Sequence, residues 1–398
     1  MKTICILCQR KPNPRCGGIE RVSYTLASEL VPYGFSAFFV CSTETNDFTD
    51  FVINNAFQLP GATIDSDDNV HYLSMLLDKF ECNIILNQAA NNFGFVNLCS
   101  KVIEKRRSVG LISAIHFAPH QEWISLKCNR FLSKGNDQKS IMFMLKKFIN
   151  DLIIFTKRHK IQNNEITLLQ RICRDSKKVV VLSDSYVEEF SRMVHASNIV
   201  AIPNLIESRN VSISLDKKEK TVLYVGRLEY GLKRVDRLLH IWREIEKSFP
   251  EWYLKIVGDG DYRYILEYVS KQLGLQRVSF EGSHSPEDYY RKASIICLTS
   301  SSEGFGMVLV EAMQYGCVPV AYNSYAALSD IVEDGVNGFA VTPFKQAGFV
   351  EKLTTLMRDE EMRNGMGKMA LLVPPKFDSR VIVQKWVTLF DSLVKASD

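Results

Sequence analysis

The sequence predicts an α/β protein that contains two doubly wound parallel sheets. Three observations support this fold. Short apolar runs alternate with longer segments of helical periodicity, glycine-rich turns follow several of these runs, and a polar stretch without periodicity lies near the middle of the chain. Alternating strands and helices form parallel sheets because each helix returns the chain to the starting edge of the sheet. At 398 residues, the chain is also too long for one ordinary core.

Composition restricts the class of protein further. The chain is 46% hydrophobic and 24% charged, as in soluble globular proteins, and its net charge of +4 is too small to indicate nucleic-acid binding. The first residues lack the long apolar segment and cleavage site of a signal peptide, and no apolar run is long enough to span a bilayer. The ten cysteines are scattered, several of them in apolar runs, which favours reduced and buried thiols. We therefore expect a cytoplasmic protein.

The first domain is predicted over residues 1–204. Each strand of its sheet is a short apolar run, and each helix carries apolar residues at intervals of three and four. The predicted strands are Lys2–Cys8, Ser36–Cys41, Asn83–Asn87, Val109–His116, Lys177–Leu182 and Asn198–Ile202. The predicted helices are Ile19–Tyr33, Asn69–Phe80, Phe93–Lys105 and Tyr186–Val194.

Two features of this domain are candidates for ligand binding. Gly17 and Gly18 join the first strand to the first helix, where such a turn either binds an anion or is only a tight turn. His116 ends its strand, at the edge where open α/β sheets bind ligands, although a lone histidine is more often structural.

Two patterns in the first domain resemble metal-binding motifs, but neither indicates a metal site. Cys5 and Cys8 lie three apart on a predicted strand, so their side chains point to opposite faces. Asp65 and Asp67 fit an Asp-x-Asp pattern, but they precede a helix in a polar stretch, which favours a helix cap.

Residues 127–160 interrupt the alternation of strands and helices. This stretch combines nine Lys or Arg residues with many apolar residues and only two Asp. A basic helix with a broad apolar side can lie on an anionic membrane surface. The same pattern also occurs in an ordinary helix whose apolar side is core and whose lysines are solvated. Both interpretations are kept.

The second domain is predicted over residues 221–376, after a linker at 205–220 that is polar and aperiodic. A last amphipathic helix is predicted at Phe377–Leu393, within the segment 377–398. The predicted strands of the second domain are Thr221–Val225, Tyr253–Val257, Ser294–Thr299 and Cys317–Tyr322.

Two cations flank the first strand-to-helix loop of this domain. Arg227 follows the strand, and Lys233 precedes a helix whose apolar side begins at Val235. Two cations at the carboxyl end of a strand, beside a helix start, suit a diphosphate, whose charge must be neutralised as it leaves. Ordinary surface charge is the alternative interpretation.

The stretch Ser300–Tyr315 contains a strand end, a glycine-rich turn and a helix. Gly304 and Gly306 let the backbone approach a ligand closely, and the amides that follow are unpaired donors at a helix start. Glu303 lies at the carboxyl end of the strand. Glu311 lies among apolar helix residues, where burial is costly unless donors such as a vicinal diol reach it. The alternative is a helix N-terminal carboxylate and an unrelated acid.

These motifs resemble the signature of a known family. Glu303 and Glu311, with Gly-Phe-Gly after the first Glu, are similar to the motif of retaining glycosyltransferases of family GT4. Gly-Arg-Leu followed by Lys233 resembles the diphosphate clamp of the same family. The resemblance implies the GT-B fold, in which two Rossmann-like domains face each other across a cleft. It covers most of the chain, strongly at 221–339 and more weakly in the first domain.

The resemblance implies a role for each candidate residue. Arg227 and Lys233 would hold the diphosphate, Glu303 the transferred sugar and Glu311 the ribose, while the final helix would cross back onto the first domain. The implied catalytic residues are Arg227, Lys233, Glu303 and His116. The implied donor-binding residues are Gly17, Gly18, Arg227, Lys233, Glu303, Gly304, Phe305, Gly306, Met307, Val308 and Glu311.

We therefore predict a retaining, metal-independent hexosyltransferase that acts in cell-surface polysaccharide or lipopolysaccharide synthesis. It would move a sugar from a nucleotide-diphosphate sugar, a UDP-sugar before a GDP-sugar, to a saccharide or a lipid-linked saccharide. No cofactor and no nucleic acid are expected. An anionic membrane surface is the additional partner if residues 127–160 bind it, which would place the protein on the inner face of the membrane. The alternatives are a GT-B nucleotide-sugar epimerase and a catalytically silent partner of a polysaccharide-assembly complex.

Overall fold

The computed structural model describes residues 2–14, 18–43, 55–121, 123–124, 141–207 and 213–394, with the side chains of 43, 141–156 and 394 excepted. Its contacts divide the chain into two compact units. Unit 1 contains Met1–Pro119, Glu165–Ser208 and Lys376–Asp398, and unit 2 contains His120–Asn164 and Arg209–Pro375. Among the described residues, no helix is both long enough and apolar enough to cross a membrane.

Unit 1 contains a seven-stranded sheet in which every pairing is parallel. Its strand order is β3-β2-β1-β4-β5-β6-β7, so the chain order reverses between β1 and β4. The strands are β1 (Lys2–Arg10), β2 (Phe35–Thr43), β3 (Ala56–Gln58), β4 (Ile84–Asn87), β5 (Gly110–Ala114), β6 (Lys178–Val181) and β7 (Ile199–Ala201). Ligands bind such sheets at the carboxyl ends of the strands near this reversal.

Five helices alternate with the strands of this sheet along the first half of the chain. They are α1 (Ile19–Leu30), α2 (Asp67–Lys79), α3 (Phe93–Lys105), α4 (Ile141–Asp175) and α5 (Asp184–Val194). Ser66 begins α2 by accepting a hydrogen bond from the N–H of Asn69. The interpretation of Asp65–Asp67 as a helix cap is therefore confirmed, because the hydroxyl between the two aspartates satisfies one of the first amides of the helix.

The long helix α4 requires a correction to the predicted domains. We assigned residues 127–160 to the first domain, whereas the contacts group His120–Asn164 with unit 2. The carboxyl-terminal part of α4 buries Leu168, Leu169 and Ile172, and this part belongs to unit 1. Sequence order could not reveal the division, because it falls inside one continuous helix. Residues 125–140 lie outside the described residues, as do the side chains of 141–156, so the two interpretations of this stretch stay predictions.

Unit 2 contains a six-stranded parallel sheet of order β10-β9-β8-β11-β12-β13, which reverses between β8 and β11. Its core includes the fully buried rings of Trp242 and Trp252. The strands are β8 (Glu219–Val225), β9 (Tyr253–Val257), β10 (Val278–Gly282), β11 (Ala293–Leu298), β12 (Val318–Tyr322) and β13 (Phe339–Val341). The helices are α6 (Val235–Ile245), α7 (Arg263–Gln272), α8 (Glu287–Lys292), α9 (Met307–Met313), α10 (Gln346–Arg358) and α11 (Glu360–Ala370).

The last helix, α12 (Ser379–Val394), belongs to unit 1. It begins two residues later than predicted because Asp378 acts as its cap, accepting a hydrogen bond from the N–H of Arg380 at 2.8 Å. The ring of Phe390 packs against that of Phe35 at 5.7 Å. The strands and helices of unit 2 from Arg209 to Pro375 thus lie between β7 and α12, and the chain returns to unit 1 at its end.

Candidate active site

Two loops meet at the carboxyl edge of the second sheet. β8 and β11 are parallel neighbours, with Val222 opposite Ile295, so the loops that follow them lie side by side. The N–H of Ser301 donates to the carbonyl of Leu232 at 2.7 Å, and the hydroxyl of Thr299 donates to the carbonyl of Arg234 at 3.0 Å. These bonds join the loop that carries Arg227 and Lys233 to the loop that carries Glu303.

Lys233 and Glu303 form an ion pair across these loops. The Lys233 Nζ lies 2.8 Å from both carboxylate oxygens of Glu303, and the hydroxyl of Ser300 donates to Glu303 Oε1 at 2.6 Å. The two side chains are only 21% and 12% exposed, so the pair is largely removed from water. The sequence assigned Lys233 to the diphosphate and Glu303 to the sugar. The structure places both residues in one site, where they form a direct ion pair that the sequence did not predict.

Arg227, in contrast, points into solvent. Its side chain is 78% exposed, and its Nη1 lies 3.5 Å from Glu229 Oε2. The loop beneath it is held by Tyr224, whose hydroxyl donates to the Arg227 carbonyl at 3.4 Å. Burial, together with the negative charges of Glu303 and Glu229, raises the pKa of Tyr224 well above its usual value. Tyr224 therefore stays protonated and acts as a donor beneath the loop.

The Gly-Asp-Gly turn supports the same loop from a neighbouring strand. A Cβ at Gly258 would lie 1.9 Å from the Gly226 carbonyl oxygen, and a Cβ at Gly260 would lie 2.4 Å from the Leu228 carbonyl oxygen. The N–H of Leu228 donates to the carbonyl of Asp259 at 2.8 Å. These glycines therefore permit two backbones to touch.

The glycine-rich turn after Glu303 leads directly into α9. Gly306 has φ +89°, in the left-handed region, and a Cβ there would lie 2.3 Å from the hydroxyl oxygen of Tyr325. The N–H of Leu309 bonds to the Gly306 carbonyl at 2.9 Å, so the amides of Met307 and Val308 lie in the first turn, where a helix offers them no acceptor. Gly304 is half-buried and Phe305 is buried in the turn itself. The predicted donor amides are thus at a helix start.

Glu311 lies half-buried on α9 and receives a hydrogen bond from the protein. The hydroxyl of Tyr290, on α8, donates to Glu311 Oε2 at 3.2 Å. The Tyr290 ring stacks on Tyr315 with centroids 6.0 Å apart, which fixes its position. The sequence analysis expected a ligand diol to satisfy this carboxylate. The structure shows that the protein itself supplies one donor to Glu311, the hydroxyl of Tyr290.

The candidate residues of unit 1 lie at the corresponding edge of its own sheet. Gly18 begins α1 with φ +73°, and Gly17 lies outside the described residues. His116 follows β5, and its Nε2–H donates to Gln88 Oε1 at 2.5 Å. Burial lowers the pKa of His116 to about 4, and a side-chain hydrogen bond with Asn204 acts in the opposite direction. The imidazole is therefore neutral at physiological pH.

Sequence reasoning missed several residues that contact the predicted ones, among them Gln88, Tyr224, Tyr290 and Ser300. Gln88 and Ser300 follow predicted strands directly, so their position was a usable signal. No sequence signal distinguished Tyr224 and Tyr290, since an aromatic residue in a strand or helix is usually part of the core. Among the described residues, no group of three His, Cys, Asp or Glu side chains could hold a metal ion.

Comparison with known proteins decides the family of the second half of the chain. Residues 206–372 match the family model described as glycosyl transferases group 1. Residues 206–372 form a group 1 glycosyltransferase domain. The resemblance seen in the sequence is thereby confirmed for this family, while the GT4 subfamily stays a prediction.

Two relatives of this glycosyltransferase domain illustrate the match. An uncharacterized glycosyltransferase of Haemophilus influenzae is 30% identical over 213 residues, which is 52% of this chain and 60% of the relative. The lipopolysaccharide 1,6-galactosyltransferase of Salmonella typhimurium is 31% identical over 179 residues, covering 43% of this chain and 49% of the relative. The matches thus span about half to three fifths of these relatives.

A solved structure resembles the whole chain. A variant of S. aureus TarM, in complex with fondaparinux, alpha-GlcNAc-glycerol and UDP, superposes with a TM-score of 0.75 at 13% sequence identity, covering 98% of this chain and 100% of that chain. At this identity the likeness concerns the fold alone. The predicted GT-B fold class, with two parallel-sheet α/β domains, is confirmed.

Proposed function

We propose that the protein is a retaining glycosyltransferase that moves a sugar from a nucleotide-diphosphate sugar to a saccharide or lipid-linked saccharide acceptor. The observation that carries this proposal is the paired loop structure around Lys233 and Glu303. It places one cation and one carboxylate, both largely buried, at the switch point of a parallel sheet. Such a site suits a ligand that has an anionic part next to a hydroxyl-bearing part.

Lys233 can serve the donor without leaving Glu303. A lysine ammonium has three N–H groups, and two of them are directed at the Glu303 oxygens. We assign the third to an oxygen of the donor diphosphate. Arg227, which is exposed, would turn from Glu229 to the same diphosphate, and the first amides of α9 would add further donors. Glu303 would accept hydrogen bonds from the sugar hydroxyls, and Glu311 from the ribose.

The proposed reaction occurs on one face of the sugar. The bond between the anomeric carbon and the diphosphate oxygen breaks, and the acceptor oxygen bonds to the anomeric carbon on the same side. The departing diphosphate oxygen takes the acceptor proton. Stabilising the negative charge of the leaving group is therefore the main task of the protein. In this proposal, Lys233 and Arg227 supply the positive charge, so that no metal ion is required.

The donor base and the acceptor class follow from the relatives by analogy only. A UDP-bound structural relative and a lipopolysaccharide galactosyltransferase support a UDP-sugar and a cell-surface saccharide. The residues Lys157, Arg158 and Lys160 are exposed on α4. They support peripheral contact with an anionic membrane, which a lipid-linked acceptor would require.

A thermal-shift screen with UDP, GDP, ADP, CDP and their common sugars tests the donor site. A ligand that binds only the folded state raises the unfolding midpoint with its occupancy, so UDP and a UDP-sugar should give the largest shifts. The absence of any shift in folded protein would overturn the proposal and favour a silent partner.

Product analysis separates the remaining alternatives. With the donor identified, NMR of the product should show the anomeric configuration of the donor, as retention requires. Inversion would contradict the mechanism, and release of an altered free sugar without acceptor would indicate an epimerase. Co-sedimentation with vesicles that contain anionic lipid, compared with neutral vesicles, tests the membrane contact.

A further inference from the structure

The residue that follows Lys233 has a strained backbone. Arg234 directly precedes α6 with φ +49° and ψ +45°, in the left-handed region. A helix normally begins after a residue of extended backbone, and a residue with a Cβ adopts the left-handed region only at a cost in free energy. The surrounding structure must therefore supply contacts that hold Arg234 in this conformation.

A buried ion pair supplies such contacts. The Nε–H of Arg234 donates to Asp236 Oδ1 at 2.9 Å, and its Nη2–H donates to Asp236 Oδ2 at 2.7 Å. Both side chains are only 10% exposed. The pair joins residues two positions apart at the start of α6, so it restrains the backbone between them.

Stability alone does not account for this ion pair. Two charges lose their hydration when they are buried, and replacing a buried ion pair by apolar residues is often neutral or stabilising. What the pair does provide is a defined geometry, because a guanidinium and a carboxylate bond through two parallel contacts. The position of the neighbouring residues is therefore the property that the pair can determine.

Lys233 lies between two anchored residues. On one side, the carbonyl of Leu232 accepts from the N–H of Ser301 at 2.7 Å, and on the other side, the carbonyl of Arg234 accepts from the hydroxyl of Thr299 at 3.0 Å. Thr299 is fully buried and Ser301 is nearly so, which makes the loop after β11 a firm support. The second bond depends on the direction of the Arg234 carbonyl, which the backbone conformation of Arg234 sets.

We propose that Arg234 and Asp236 are positioning residues, and that their buried ion pair holds the left-handed backbone that places the Lys233 ammonium against Glu303. In the proposed function, Lys233 binds the donor diphosphate, whereas Arg234 and Asp236 act through Lys233. This inference rests on the proposed function, because it gives the pair a part in sugar transfer.

Two double variants that differ by one methyl group test the proposal. The alanine double variant is Arg234→Ala with Asp236→Ala, and the glycine double variant is Arg234→Gly with Asp236→Ala. Each removes the pair without leaving one charge buried alone, so both should fold. Glycine adopts a positive φ without the cost that alanine has, so the glycine double variant keeps the backbone that the pair otherwise holds.

Turnover should separate the two double variants. With the donor identified by the thermal-shift screen, kcat of the alanine double variant should fall by about 10-fold to 100-fold, the loss expected when a catalytic group is displaced. The glycine double variant should have a kcat at least about 5-fold above that of the alanine double variant, because its backbone conformation is retained.

The geometry has a readout that needs no ligand. In crystal structures of the free variants, the Lys233 Nζ should stay within hydrogen-bond distance of the Glu303 carboxylate in the glycine double variant. In the alanine double variant it should lie farther away, because the strained backbone relaxes once the pair is absent.

Arg363→Ala is the control for the loss of a buried arginine elsewhere in unit 2. The Arg363 guanidinium lies 5.1 Å from the ring centre of Trp252, which directly precedes β9 at the opposite edge of the sheet. This variant should lose stability, while kcat of the folded protein stays at the wild-type value.

Two results would overturn the proposal. One is an equal kcat for the two double variants in protein shown to be folded, and the other is a distance from Lys233 to Glu303 that does not differ between them. A wild-type protein that transfers no sugar, while the two structures differ as expected, would instead overturn the proposed function and support the positioning of Lys233.

Discussion

The two units carry polar side chains at the same edge of similar parallel sheets, but the two edges differ in charge. In unit 2, Lys233 and Glu303 form an ion pair next to the exposed Arg227. In unit 1, the described side chains that bond to the neutral His116 are the uncharged Gln88 and Asn204. The shared topology decides where side chains converge, whereas the residues at the strand ends decide which chemistry they offer.

The difference also concerns how each edge is supported. The charged edge depends on close backbone contacts between neighbouring loops, through Gly226, Gly258 and Gly260. The neutral edge depends on side chains that follow the strands directly. A diphosphate needs several donors at fixed positions. The support of the charged edge thus agrees with the ligand that we propose for it.

The largest expected effect is the loss of turnover at the charged edge. Lys233→Ala and Arg227→Ala should each lower kcat by about 100-fold to 1,000-fold, because each removes stabilisation of the leaving diphosphate. Lys220→Ala, which removes an exposed lysine at the start of β8, should leave kcat unchanged. Steady-state kinetics measures kcat for each variant, and circular dichroism verifies that each variant is folded. Wild-type rates in folded Lys233→Ala and Arg227→Ala would show that the charged edge is not a diphosphate site.

The backbone contact beneath the charged edge predicts a large loss of stability. In Gly258→Ala the new Cβ would lie 1.9 Å from the Gly226 carbonyl oxygen, so the free energy of unfolding should fall by about 3 kcal/mol or more. Gly274→Ala also has a positive φ, but no atom lies within 4 Å of its Cβ, and it should cost about 1 kcal/mol. Urea denaturation compares the two variants, and equal losses would contradict the steric argument.

The neutral edge predicts a pH dependence of stability. The pKa of His116 is about 4 in the folded protein and near 6.5 when unfolded. Between these values only the unfolded chain binds the proton, so lowering the pH from 6.5 to 4 should remove up to about 3 kcal/mol of stability. His116→Asn should lose less over this range, whereas the exposed His284→Asn should follow the wild type. Identical pH profiles for His116→Asn and wild type would refute the buried neutral histidine.

The smallest effect concerns the hydroxyl that supports Glu311. Tyr290→Phe removes a 3.2 Å hydrogen bond and keeps the stacked ring, so UDP should bind about 3-fold to 10-fold more weakly. Its neighbour gives the control, because the hydroxyl of Tyr289 donates to Glu281 instead. Calorimetry with UDP should show normal binding by Tyr289→Phe. Equal affinities of the wild type and Tyr290→Phe for UDP would show that this support of Glu311 does not contribute to nucleotide binding.

Much of the fold could be predicted from local sequence pattern. The helix Phe93–Lys105 and the strand Tyr253–Val257 occur with the predicted bounds. Of the strands in the described part of the chain, three were missed, namely β3, β10 and β13. β3 and β13 are three residues long, and the residues of β10 are mostly half-buried, so none gives a long apolar run.

Local sequence patterns were enough to establish the alternation of strands and helices, the family of residues 206–372 and the residue types at the strand ends, because periodicity and short motifs are local properties. The folded chain was needed to show that Lys233 pairs with Glu303, that Gly258 lies against Gly226 and that Gln88 bonds to His116. Each of these contacts joins residues that are at least 28 positions apart. Such partners are set by the order of strands in the sheet, which no local pattern encodes.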